Sequence, residues 1–257
     1  MSASNPNLPV PSNTGQLPSF LQNKRGVAGL EGTKSSDLIF PRLNVMQSTS
    51  VPVQEGKFKA GDIVRQDTNE VFIPVGHEAV LVPIKFQREF LHWASRSSKR
   101  GIIERSTDEN SPLAKKCAEA LAQLFSTRKG VDTINEESYN ESHSWLLTHK
   151  SDSGMRELLV ISFAKGSIRE SKQFISSIHQ LQVPAFSLKF KITAQQRKNP
   201  KGIYYVPEPK RLGYVDEADF VEYEKMYEAL KTTKFQGNTD ESDGAVDEGG
   251  SGAASEV

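Results

Sequence analysis

Residues 78–96 read EAVLVPIKFQREFLHWASR, a run of branched and aromatic side chains too long and too β-prone to be a loop. Alternation along it puts Ile84, Phe86 and Arg88 on one face and Lys85, Gln87 and Glu89 on the other, so a strand is expected here. A second run, FSLKFKITA at 186–194, alternates more cleanly: Phe186, Leu188, Phe190 and Ile192 on one side, Ser187, Lys189, Lys191 and Thr193 on the other. The turn residues Asn199-Pro200-Lys201-Gly202 and the return run GIYYVP then predict a half-buried hairpin with a basic outer face.

Outward from these strands the chain keeps a β-rich pattern. DLIFPRLNVMQ at 37–47 opens the fold, and Pro41 suggests an edge strand or the entry to one. Gly56, Gly61 and Asp67-Thr68-Asn69 punctuate short strands in EGKFKAGDIVRQDTNEVFIPVG. SHSWLLTHK and MRELLVISFAK flank the polar turn 151–154 and read as a hairpin.

Three helices interrupt the strands. In PLAKKCAEALAQLFS (112–126), Leu113, Cys117, Ala120, Leu121 and Leu124 share one face, behind Ser111 as cap and Pro112 at the first position. Ser167 is placed to cap IRESKQFISSIHQLQ, with Pro184 ending it, and DEADFVEYEKMYEALKTT carries acids in its first turn. The expected fold is therefore β-rich α+β, with inserted and C-terminal helices.

The ends differ from the middle. Residues 1–36 are rich in Pro, Ser, Asn and Gly and read as a flexible arm; 37–215 form the core, 216–234 a C-terminal helix, and 235–257 a disordered acidic tail. The tail holds Asp240, Glu241, Asp243, Asp247, Glu248 and Glu256 and no cation. Overall, 32 bases balance 32 acids; removing those six acids leaves 26 against 32, a net of +6 for residues 1–239. A basic body is thus offset by its own tail, which can compete with a polyanion for the same surface.

Most enzyme signatures are missing. GLEGTKSS at 29–36 fails the phosphate-loop spacing, no HExxH or nucleophile elbow occurs, and the five histidines match no common metal motif. No catalytic residue, metal or cofactor is assigned. The lone Cys117 excludes an internal disulfide and points to a reducing compartment; without a signal-like N-terminus or a membrane-length apolar run, the expected location is cytoplasmic.

What the chain does carry is cations interleaved with aromatics, the combination that single-strand binding needs for phosphates and stacked bases. Along 85–100 the candidates are Lys85, Arg88, Trp93, Arg96, Lys99 and Arg100; along 186–211 they are Lys189, Lys191, Arg197, Lys198, Lys201, Tyr204 and Tyr205. Phe86, Phe90, Phe186 and Phe190 are assigned to the core by alternation. Trp93 is read as an exposed strand end, and adjacent Tyr204 and Tyr205 must point to opposite faces, so one is expected outward.

FPRLNVMQ, then EGKFKAGDIV, VLVPIKFQREFLHWASR and PAFSLKFKIT…NPKGIYYVPE, together resemble phage-encoded single-stranded-DNA-binding proteins over about residues 37–215. That resemblance implies an OB-like β-barrel core and a non-catalytic protein coating single-stranded DNA during phage replication, recombination or repair. The acidic end is similar to tails that recruit replication or recombination proteins, but it finishes Ser255-Glu256-Val257 instead of in a bulky apolar residue. Homo-oligomers are compatible with this reading. Two rivals remain: an interaction protein that binds a host enzyme without DNA affinity, and a strand-annealing or nuclease factor.

Overall fold

A computed structural model describes residues 39–98, 100–127, 133, 135–151, 154–199 and 202–235. The expected arm and tail lie outside them. The described chain is β-rich α+β: nine strands, β1 (Arg42–Val45), β2 (Ile63–Arg65), β3 (Glu70–Ile73), β4 (Ala79–Trp93), β5 (Ile102–Ser106), β6 (Ser138–Lys150), β7 (Arg156–Ala164), β8 (Leu188–Asn199) and β9 (Gly202–Tyr214). Four helices accompany them: α1 (Val51–Gln54), α2 (Pro112–Thr127), α3 (Ile168–His179) and α4 (Glu217–Leu230).

The strands form one strongly curled sheet in the order β3-β2-β1-β7-β6-β4-β8-β9, with β5 on β4. β4 causes the curl. Its first residues, Ala79–Leu81, pair with β8, whereas Val82–Trp93 pair with β6. Just inside the second set the register slips from Pro83 to Lys85, leaving Ile84 as the extra residue. A bulge sharpens local twist, and Pro83, which has no N–H to give a ladder, is tolerated beside one. A second slip between Lys189 and Phe190 bends the β8–β9 hairpin.

The curled sheet almost meets itself, and one side chain spans the remaining gap. The Gln47 amide donates to the Tyr205 carbonyl and accepts from the Tyr205 N–H, each at 2.9 Å, as a strand residue would. Gly61 makes this approach possible: a Cβ there would stand 2.8 Å from the Tyr205 ring, and its φ of +94° suits glycine alone. The arrangement is compatible with an OB-like barrel.

Inside the curl, Phe174 of α3 meets the rings of Trp145 and Phe190 at 4.4 and 4.5 Å, and Leu81, Leu147, Leu159, Ile161, Phe163, Leu188 and Ile192 complete the core. Burying each such side chain contributes about 1.5–3 kcal/mol. α4 covers the other side of β4, with Tyr223 against Val82, Ile84 and Phe186. β4 is therefore buried on both faces along its first half, which is why it reads as a continuous apolar run. α2 sets Leu113, Ala114 and Cys117 against Phe90 and Tyr139.

Several local expectations change. β1 lies between β2 and β7, so Pro41 marks an entry, its carbonyl accepting from Val160 N at 2.8 Å, and not an edge. Ser111 caps α2 as expected, accepting from Ala114 N at 3.1 Å. Leu124, expected inward on α2, is 43% exposed because the sheet ends before the helix does. Ser167 does not cap α3: its hydroxyl turns back to the backbone of Ala164. α3 stops at His179, well short of Pro184. Pro207 and Pro209 sit in β9, whose outer edge meets β1 only around Tyr205; they withhold donors from that edge and block strand addition.

Candidate nucleic-acid interface

The cations singled out along β4 have partners within the fold. Lys85 Nζ donates to the carbonyls of Leu230, Lys231 and Thr233, at 3.1, 2.8 and 2.6 Å, and so closes the C-terminal end of α4. Burial pulls its ammonium below the ordinary lysine range. Next to it, the Gln87 amide holds both the N–H and the carbonyl of Phe235, whose ring is buried beside Phe40, Leu146 and Val160. Arg88 lies between Glu109, at 2.8 Å, and Glu141, at 3.0 Å.

Trp93 is not exposed: 8% of its surface is open, and the Lys165 ammonium stands 6.0 Å from its ring centre. The reason is the pairing of the strand end on both edges, with Ser138 and Ile102 directly opposite Trp93. Beyond it, the chain from Ala94 to Gly101 carries Arg100, which is exposed; Lys99 and the Arg96 side chain lie outside the described residues.

In the β8–β9 hairpin the cations stay at the surface. Lys191 and Lys210 face each other directly across the ladder, a like-charge pair that neighbouring acids relieve: Lys191 with Glu78 at 2.5 Å and Lys210 with Glu208 at 2.8 Å. Arg197 reaches Glu170 of α3 and Glu208, at 3.4 and 3.3 Å. Lys198 is exposed near the tip, Lys189 is half-buried, and Lys201 falls outside the described residues. Neither tyrosine projects freely. Tyr205 packs on Gly61, its hydroxyl donating to Gln196 at 3.3 Å, and Tyr204 packs over Gly166. The tail acids Asp240, Glu241, Asp243, Asp247 and Glu248 also lie outside the described residues.

The turn between β7 and α3, residues 165–167, is a part of this surface that sequence reading missed. It touches Trp93 through Lys165 and Tyr204 through Gly166, so it joins the end of β4 to the tip of the hairpin. Arg169, the second residue of α3, is exposed as well. No periodicity marks the turn, and the left-handed backbone at Lys165, with φ +52°, has no signature in a non-glycine residue.

One buried polar chain has the order of a hydrolase relay. Glu141 meets His143 Nε2 at 2.8 Å, and His143 Nδ1 meets Ser171 Oγ at 3.0 Å. The Trp145 indole N–H donates to the same hydroxyl at 3.3 Å, and His143 Nε2–H donates to the Glu141 carboxylate, which can only accept. That hydrogen bond holds the Glu141 carboxyl below its usual range against the opposing effect of burial. His143 and Ser171 are fully buried, so the chain joins β6 to α3 and offers a substrate nothing. Among the described residues no three His, Cys, Asp or Glu side chains gather to hold a metal ion, and no helix is long and apolar enough to cross a membrane.

No curated protein and no solved structure matches this chain. A family model does match: over residues 12–236, nearly the whole chain including every strand and helix above, the protein belongs to the phage-derived family described as Pam3 phage gp34-like protein.

Proposed function

We propose that this phage protein binds single-stranded DNA, largely without regard to sequence, on an OB-like barrel made of β4, β6, β7, β8 and β9. The reading rests on connectivity. A bent first strand is shared by both halves of the sheet, two strands follow in a meander, a helix follows the third strand, and the last two form a hairpin that pairs back to the first. β1 occupies the gap between β7 and β9. In OB barrels, oligonucleotides bind across the second and third strands and the loops joining strands one to two and four to five.

The single observation that carries the proposal is where the two basic segments fall. The connection after β4 holds Arg96, Lys99 and Arg100, and the connection between β8 and β9 is flanked by Arg197 and Lys198 and contains Lys201. These are the two loops the barrel would use. Trp93 and Lys85 leave the candidate set, since each serves the fold itself. Among the aromatics, Tyr204 is the best candidate to stack on a base.

The acidic tail, including Asp240, Glu241, Asp243, Asp247 and Glu248, follows Phe235, which Gln87 fixes to β4; its proposed role is to compete for the basic surface and to recruit replication or recombination proteins. The deciding experiment is a fluorescence-anisotropy titration of a labelled single-stranded oligonucleotide at several salt concentrations. The full chain is compared with residues 1–236, and duplex DNA serves as competitor. Salt-sensitive binding that prefers single strands, and tightens without the tail, is expected. Absence of binding by both forms would overturn the proposal.

A further inference from the structure

The turn 164–167 lies between the two basic connections, and its details are unusual for a simple link. Lys165 takes up left-handed backbone, φ +52°, which an L-residue with a side chain adopts at a cost of about 1 kcal/mol and which recurs at binding sites. The conformation lifts the ammonium over Trp93, 6.0 Å from the ring centre, while the adjacent Gly166 receives the ring of Tyr204: a Cβ there would stand 3.3 Å from Tyr204 Cε2. The Ser167 hydroxyl fixes the turn, accepting from the Ala164 N–H and donating to the Ala164 carbonyl, 3.0 Å each. Arg169 follows on the exposed side of α3, whose opposite side buries Glu170, Ser171 and Phe174.

Two exposed cations, Lys165 on the turn and Arg169 at the start of α3, thereby lie between the end of β4 and the hairpin tip. Glu170, the acid that follows Arg169, is buried and reaches Arg197 instead. From this juxtaposition we propose that Lys165 and Arg169 form the middle of the interface, a saddle on which the phosphates of a single-stranded polynucleotide rest as it passes from the 94–101 connection to Lys198 and Tyr204. The inference rests on the single-strand-binding reading above and assigns it a path. Lys165 serves the middle phosphate, and the Tyr204 ring on Gly166 is the adjoining platform for a base. The turn also couples the two ends, since moving Gly166 moves Tyr204.

The test compares the full-length protein with Lys165→Gln/Arg169→Gln, with the charge reversal Arg169→Glu, and with Lys198→Gln, titrating a fluorescent oligo(dT) over a range of salt. Both Lys165 and Arg169 are exposed, so thermal unfolding should be unchanged in every variant. The double variant is expected to bind at least tenfold more weakly at low salt. Its log–log salt slope should be smaller by about 1.4, two contacts at about 0.7 each for a single strand. Arg169→Glu alone should weaken binding more than Lys198→Gln does. If the double variant keeps wild-type affinity and slope while Lys198→Gln loses both, the strand does not cross the turn and this inference fails alone. If the wild-type chain itself does not bind oligo(dT), the functional reading fails together with the saddle.

Discussion

Strands β4 and β8 both set lysines and arginines between aromatic residues, yet the fold uses the two sets oppositely. On β4, Lys85 closes the end of α4 and Arg88 bridges Glu109 and Glu141. On β8, Lys191 pairs with Glu78 at the surface, Arg197 reaches out to Glu208 and down to the buried Glu170, and Lys198 projects near a hairpin tip. The difference comes from position. The first half of β4 has neighbours on both edges and helices on both sides, so Lys85 there takes its partners from the end of α4. β8 has one outward side, and its cations can meet water or a phosphate. A basic residue is informative about ligands only after the layers above and below its strand are known.

The sharpest way to break this comparison is Trp93→Ala. If Trp93 is the core residue its 8% exposure indicates, the variant loses about 3–5 kcal/mol of stability by urea unfolding. An outward platform would leave stability alone and weaken only DNA binding. Next, Lys85→Ala strands three carbonyls at the end of α4 and should cost about 2 kcal/mol in the same measurement. Oligonucleotide affinity of the folded fraction should not change.

Asp219 offers a smaller effect with a definite sign. Burial disfavours its charge, but the Lys150 and Arg156 hydrogen bonds outweigh that and hold its carboxyl below the ordinary value of 3.8. A depressed carboxyl stabilises the native state above its unfolded pKa, and that stabilisation is lost as pH falls through the folded value. Asp219→Asn should therefore be less stable than wild type at pH 7, by about 1 kcal/mol, with the gap closing below about pH 4 in denaturant titrations. The smallest change belongs to the surface set: Lys198→Ala should leave stability within about 0.5 kcal/mol, and any binding effect should appear as a salt slope reduced by about 0.7.

Much of the architecture was legible from alternation. The inward set Phe186, Leu188, Phe190 and Ile192 is buried as the period of two predicts, and the β6–β7 and β8–β9 hairpins follow their turn residues. Helix faces were readable as long as a sheet lay beneath them, which fails at Leu124. Hydroxyls were less legible: Ser111 and Ser167 precede helices alike, and only Ser111 caps, since Ser167 satisfies the Ala164 backbone first. For the candidate interface, sequence located two basic segments, while Lys165 and Arg169 were invisible because their meaning lies in which strands the turn touches.

By itself the sequence determined what depends on neighbours along the chain: β-rich content, hairpins, helix periods, a basic body with an acidic end, and one unpaired thiol. Tertiary structure alone decided which cations are turned inward, that β4 bends at Ile84 to serve two halves of one sheet, and that Gln47 bridges to Tyr205. Those facts depend on contacts between residues far apart in the chain, where burial and hydrogen-bond satisfaction override what any local pattern can specify.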